Sequence, residues 1–229
     1  RPSLGDNYVN LSFQDFDADG NLVREINRFD DERETQDVLE GNLSWQKIFG
    51  GNDKHKWTAD FRYSLEDDRE RSTITQDTVG RPGEFIQLVD NLEYQRSVLL
   101  QTDYIRPFAK NRSMETGARM TMRTIENDYR LDERLPGGDF IPDPEFNNQF
   151  LFIENVYAGY GIYNGAYGDR WTYQLGLRAE LTDLQTEVGG DSINRRVYAN
   201  LFPSAFFTYK VSGTGDIQFS YSRRISRPG

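Results

Sequence analysis

Between Trp57 and Glu66 every odd-numbered residue is apolar or aromatic and every even-numbered residue is polar: Trp57, Ala59, Phe61, Tyr63 and Leu65 against Thr58, Asp60, Arg62, Ser64 and Glu66. A period of two sorts side chains onto the two faces of a β-strand, whereas a helix would spread them around its circumference. Just upstream, Leu39, Gly41, Leu43, Trp45 and Phe49 alternate with Glu40, Asn42, Ser44 and Gln46, with Lys47 and Ile48 as exceptions. The two runs predict a hairpin around Gly50-Gly51-Asn52-Asp53, and His55 is expected to lie in this short turn.

The construction recurs. Val98, Leu100, Thr102, Tyr104 and Phe108 oppose Ser97, Gln101 and Asp103, with Leu99 and Ile105 blurring the polar face. After a turn at 109–112, Met114, Thr116, Ala118, Met120 and Met122 alternate with Glu115, Gly117, Arg119, Thr121 and Arg123. A third hairpin joins 152–163 to 171–182 through 164–169, with Trp171, Tyr173, Leu175, Leu177, Ala179 and Leu181 facing away from Thr172, Gln174, Gly176, Arg178 and Glu180. A fourth joins 200–210 to 217–225 through 212–216. The connections between hairpins, 67–91, 127–149 and 183–196, are long, acidic and hold Pro82, Pro136, Pro142 and Pro144, so they are predicted as polar loops.

Short turns on one rim and long loops on the other are the signature of an antiparallel up-and-down outer-membrane β-barrel, with the long loops outside the cell. Phe49, Trp57, Phe108, Tyr163, Trp171 and Tyr209 flank the short turns, where ring systems with one apolar and one hydrogen-bonding end suit a membrane–water boundary. In the first fifty residues, 8–16 and 22–29 read as strands around Asp17–Asn21, and 30–37 is a charged stretch. The preferred reading makes 22–49 one long strand whose upper half projects beyond the lipid, with the Asp17–Asn21 turn outside. A soluble β-sandwich binding module buries an alternating face in the same way and stands as the alternative, although it has no reason for the short–long asymmetry.

Composition changes this picture in one respect, by asking why a chain with 14% aromatics has only 36% hydrophobic residues and a mean hydropathy of −0.76. A wide barrel answers it, because one face of each strand meets lipid and the other meets water or a plug. The net charge of −10 argues against a nucleic-acid partner. No stretch approaches the run of about 18 apolar residues that a membrane helix needs, so any spanning elements are strands. Without cysteine there are no disulfides or thiolate metal sites.

The residues most expected to face the barrel lumen are Asp60, Arg62, Glu66, Asp103, Glu115, Arg119, Arg123, Arg178 and Glu180, where opposite charges on neighbouring strands pair laterally or meet a plug or passing solute. Asp15, Asp17 and Asp19, followed by Gly20, open like a calcium loop, but the twelfth position is Ile26 and the flanks read as strands, so an acidic hairpin tip is preferred and no metal is expected. No cofactor and no catalytic residue is expected. His55 has no second imidazole near it in sequence, and the acids at Asp67-Asp68, Glu126, Asp128 and Asp132-Glu133 read as solvated loop charges rather than acid/base pairs.

The segment 200–210, with Leu201-Phe202-Pro203-Ser204 at its start, followed by Phe219-Ser220-Tyr221-Ser222-Arg223-Arg224-Ile225-Ser226-Arg227-Pro228, resembles the TonB-dependent-receptor-like outer-membrane barrels of Bacteroidota. Residues 101–108, 154–160 and 176–180 add to the likeness, which runs from about Leu39 to the end. The resemblance implies a barrel of about 22 strands around an N-terminal plug, energised through TonB, that imports a scarce or large solute. It also implies that residues 1–229 are one barrel segment, truncated at both ends and lacking the plug. The expected partners are outer-membrane lipid, the plug and TonB system through the full-length protein, and an unknown solute. A structural or adhesive outer-membrane barrel without active transport is the alternative function.

Overall fold

The computed structural model describes residues 3–80, 83–109, 111–212 and 215–225. Pro82, Lys110, the centre of the last turn at 213–214 and the Ser226–Pro228 part of the terminal motif lie outside them. The described chain is one antiparallel sheet built as a meander: β1 Ser3–Phe16, β2 Leu22–Phe49, β3 Asn52–Thr78, β4 Glu84–Ala109, β5 Arg112–Arg134, the two-residue β6 Ile141–Pro142, β7 Asn148–Tyr167, β8 Trp171–Val188, β9 Asp191–Ser212 and β10 Gly215–Ser222. Each long strand pairs with its sequence neighbours, β5 takes both β6 and β7, and β1 and β10 are the open edges. A single sheet of this kind is not the two packed sheets of a sandwich.

The strands are longer than the alternation suggests. Two of the predicted polar loops are in fact strand: β3 and β4 continue as a paired hairpin to Thr78 and from Glu84, and β8 and β9 close on Gly189-Gly190. Both of these glycines have positive φ, 60° and 85°, as a tight hairpin turn requires. Among the described residues, the connection within 127–149 keeps a long irregular part, residues 135–147, with β6 inside it. Backbone pairing persists after side-chain alternation stops, because beyond the lipid both faces of a strand meet water. β2 is the single long strand expected, and the hairpin it forms with β1 shares a rim with the top of β3, where Val79 N–H donates to Glu25 C=O at 2.9 Å. At the opposite rim the first turn is shorter than predicted. Strand β3 resumes at Asn52, so His55 lies in a strand and not in a turn.

Register assigns the faces. Trp57 stands opposite Tyr104, which stands opposite Thr116, then Gly161, Leu177 and Pro203. By the same tracing Trp57, Phe61, Tyr63, Leu65, Trp171, Leu175, Leu177, Phe207 and Phe219 share one face. Asp60, Gln101, Arg119, Ala158 and Glu180 form a row on the other. The buried side chains Ser72, Ile74, Leu131, Ala158 and Thr182 all belong to the Asp60 face. A curved sheet crowds side chains on its inner side, so the polar face is concave and the apolar face convex. Leu43 and Phe219 on the convex side are 68% and 63% exposed.

On β8 the convex apolar run from Trp171 to Leu181 covers about 34 Å of strand, or about 25 Å across a bilayer at the usual tilt. Above it come Asp183 and its ion-pair partner Arg195 at 3.2 Å. At its foot, beside the short turns, rings meet across strands: Trp45 with Trp57 at 5.2 Å, Phe49 with His55 at 4.6 Å, Phe108 with Tyr163 at 5.8 Å and Trp171 with Tyr209 at 4.4 Å. These contacts form a belt of the kind that sits at a membrane interface.

Candidate functional site

The concave face carries every charged residue singled out in the middle of the strands. Asp60, Arg62, Glu66, Asp103, Glu115, Arg119, Arg123, Arg178 and Glu180 all fall on its register rows. Few of them pair with one another. Arg178 Nε donates to Glu180 at 2.6 Å along the same strand. Most of the others find partners that the alternation did not single out. Ser44 Oγ donates to Asp60 at 2.6 Å, Arg62 Nε to Asn42 at 2.9 Å, and Gln36 Nε2 to Glu66 at 2.6 Å. Arg123 reaches Glu154 at 3.4 Å and lies over the Phe152 ring at 5.3 Å. Among the described residues Arg119 has only a long contact, to Thr121 Oγ1 at 3.5 Å.

Asp103 is held from two sides. Gln101 Nε2 donates to it at 2.9 Å, and the Tyr160 hydroxyl donates from two strands away. That reach depends on Gly117, which lies between them in register. A Cβ there would stand 2.5 Å from the Tyr160 ring and 2.6 Å from Asp103 Oδ1. The missing side chain is therefore the notch that lets the ring cross β5. Tyr160 is a site residue missed in the sequence because aromatics were assigned to the lipid side. Its signals were an even position on β7 and a glycine opposite.

Above the apolar band the charges are arranged differently. On the convex face Arg69 donates twice to Asp90, with Nη2 to Oδ2 at 2.5 Å, and Arg130 pairs with Asp128 at 2.9 Å. Hydrogen bonds from Arg69 hold the Asp90 carboxyl below the usual carboxylate range, and those from Arg130 do the same for Asp128. On the concave face Glu70 stands opposite Glu34, and burial, then the charges of Glu32 and Glu34, raise its pKa. These acids, with Glu133 accepting from Gln87 Nε2 at 2.7 Å, serve lateral strand contacts.

At the β1–β2 tip, Asp17 Oδ1 accepts from the backbone N–H groups of Asp19 and Asn21, at 3.0 and 2.8 Å, and Asp15 is paired with Arg24 at 2.6 Å. Hydrogen bonding by Asn21 keeps the Asp17 pKa low. This is an Asx-type hairpin tip, and among the described residues no group of three or more His, Cys, Asp or Glu side chains is placed to hold a metal ion. His55 Nε2 shares a hydrogen bond with the Tyr104 hydroxyl at 2.9 Å and stacks on Phe49, which makes it a member of the aromatic belt.

A family model described as the outer membrane protein beta-barrel family matches residues 49–229. The chain belongs to that family. As a member of the outer membrane β-barrel family it resides in the outer membrane, and its convex apolar band is the surface that meets lipid. The fold is also similar to the crystal structure of the ferric citrate transporter FecA in its unliganded form, with a TM-score of 0.54 and 14% identity. The match covers 95% of this chain and 35% of FecA, so the chain spans about a third of that transporter's length. No curated protein matches the chain.

Proposed function

We propose that residues 1–229 are a wall segment of a TonB-dependent outer-membrane receptor of the kind found in Bacteroidota, importing a scarce or large solute. The observation that carries this reading is the division of one sheet into a convex lipid face and a concave charged face, with both edge strands open. Strands beyond β1 and β10 complete a larger barrel, a plug fills it, and the named concave residues, from Asp60 to Glu180, line the lumen. The likeness of nearly the whole chain to about a third of a transporter chain supports the same assembly. The chain has no catalytic role in this scheme: most of its concave side chains are engaged in contacts within and between strands that stiffen a wall.

The rim bearing 17–21, Val79-Gly80, 135–147 and 189–190 faces outward and the rim of short turns faces the periplasm, since outer-membrane barrels keep their longer connections outside. The test is complex formation between the protein purified from outer membranes in detergent and the periplasmic domain of its TonB. A stoichiometric complex is expected. No complex, from protein whose unheated gel mobility shows a folded barrel, would leave a structural or adhesive barrel instead.

A further inference from the structure

We infer that the upper part of the concave wall is a docking surface for a solute that joins cationic groups to an apolar body, with carboxylates of β2–β4 taking the cations and a strip on β5–β8 taking the apolar part. This rests on the concave face being the lumen wall of a transport barrel. On the concave register rows from Glu66 to Ser72, β2 to β5 present Glu32, Glu34, Glu66, Asp68, Glu70 and Glu93, and no lysine or arginine. The row above adds Asp30 and Glu133, and the arginine beyond it, Arg28, lies 3.8 Å from Asp30. A chain of net charge −10 thus gathers much of its excess on one patch.

Among the described residues no ion pair reaches any of these six carboxylates. Gln36 donates to Glu66, but an amide donor leaves the charge in place. Lower on the same face Arg62 is turned to Asn42 at 2.9 Å and Arg123 to Glu154 at 3.4 Å. Asp68 Oδ1 is buried and, among the described residues, receives no hydrogen bond, a costly state that an arriving donor relieves. The charges of Glu32 and Glu34 add to burial in raising the pKa of Glu70, so the carboxylates repel one another. The same rows run on into an apolar strip. Ile125 and Phe152 follow Glu66 and Gln95 in one row, and Phe150 and Val188 follow Asp68, Glu93 and Asn127 in the next. All four are only partly covered, and apolar surface on a wet lumen wall marks a place where a ligand binds. Asp68 and Phe150 are three strand spacings apart, about 14 Å, which sets the separation of the two parts of the solute. Among the described residues no three acidic or histidine side chains converge to hold a metal ion, so an extended organic cation fits these carboxylates and a single metal ion does not. An anion would be repelled, and a neutral sugar would leave the charges uncompensated.

The test uses the protein extracted from outer membranes into an uncharged detergent, with binding read by calorimetry and the tripeptides Lys-Phe-Lys, Lys-Gly-Lys and Glu-Phe-Glu as probes. Lys-Phe-Lys is expected to bind, Lys-Gly-Lys to bind about tenfold more weakly for want of the buried ring, and Glu-Phe-Glu not to bind. Asp68→Asn and Phe150→Ala should each weaken Lys-Phe-Lys binding about tenfold, the first by losing one charge-assisted contact and the second by losing the apolar one. Asp68→Asn removes a buried carboxylate oxygen without a partner, so folded gel mobility and stability in urea should hold or rise while binding falls. Asp37→Asn, on the convex face beside Asp67, should leave binding unchanged.

Absence of Lys-Phe-Lys binding, or equal binding of all three peptides, would overturn the inference. So would an Asp37→Asn loss as large as that of Asp68→Asn, since the cation would then sit on the other face. TonB complex formation without peptide binding would remove the docking surface and leave the transport reading standing. Peptide binding without a TonB complex would do the reverse.

Discussion

The lower and upper halves of β3 are one strand with one hydrogen-bond ladder, yet they follow opposite side-chain rules. From Trp57 to Leu65 the convex face is apolar, and its charged neighbours Asp60 and Arg62 lie on the concave side. From Asp67 to Thr78 both faces are polar apart from the buried Ile74, and the convex side is held by ion pairs such as Arg69–Asp90. Pairing to β4 runs through the change without a register shift. Backbone hydrogen bonding therefore sets the length of the strand, while the medium on each side sets the choice of side chain. The aromatic belt and the Asp183–Arg195 pair mark where that medium changes.

Inserting a charge on the convex face should break this contrast most strongly. Leu177→Arg is expected to destabilise the membrane-inserted protein by about 2–4 kcal/mol, the cost of a cation at mid-bilayer. Thr73→Arg, on the same face in the upper half, should change stability by no more than about 0.5 kcal/mol. Unfolding in urea from lipid vesicles measures both, and equal effects would show that the two halves share one environment.

The concave face of the lower half is sharpened by Gly117→Val. The added side chain meets the Tyr160 ring and Asp103 carboxylate, so Tyr160 must leave its notch, at a cost of about 1–3 kcal/mol. Gly41→Val, where no atom lies within 4 Å of a built Cβ, is the control and should be nearly silent in the same unfolding assay.

A smaller effect belongs to the upper half alone and comes from pH. Asp90 has a depressed pKa, so its stabilising contribution is present above the ordinary carboxylate value of about 3.9 and disappears as pH falls through its lower folded value. Glu70 has a raised pKa, so its ionised form opposes the fold at neutral pH, and protonation on the way down removes that repulsion. Hydrogen-exchange protection of β3 amides between Asp67 and Thr78 should first rise slightly on acidification and then fall at lower pH. Protection between Trp57 and Leu65 should hardly change.

The lower half was legible in the sequence because lipid imposes a period of two. The hairpins, the two faces and the aromatic belt all follow from it. The upper half was misread as loops because residues such as Asp67, Asp68, Arg69 and Glu70 carry no alternation, and the paired strand there shows only when the chain returns through 84–96. The charged residues singled out fall together on the concave face, but their partners could not be read from the sequence. Ser44, Asn42 and Gln36 are brought to Asp60, Arg62 and Glu66 by the β2–β3 register, and Tyr160 is brought to Asp103 by a glycine notch. Neither is written in a single strand.

The central claim, that each strand divides lipid from water residue by residue, can be tested directly along β8. The chain has no cysteine, so single substitutions from Trp171 to Thr182 each give one site for a nitroxide spin label. In the protein reconstituted into vesicles, collision with oxygen should peak at Leu175, Leu177, Ala179 and Leu181. Collision with a water-soluble nickel chelate should peak at Gln174, Gly176, Arg178 and Glu180. Two accessibility profiles of period two in antiphase are the predicted result. Profiles in phase, or a nickel maximum at Leu175 and Leu177, would contradict it.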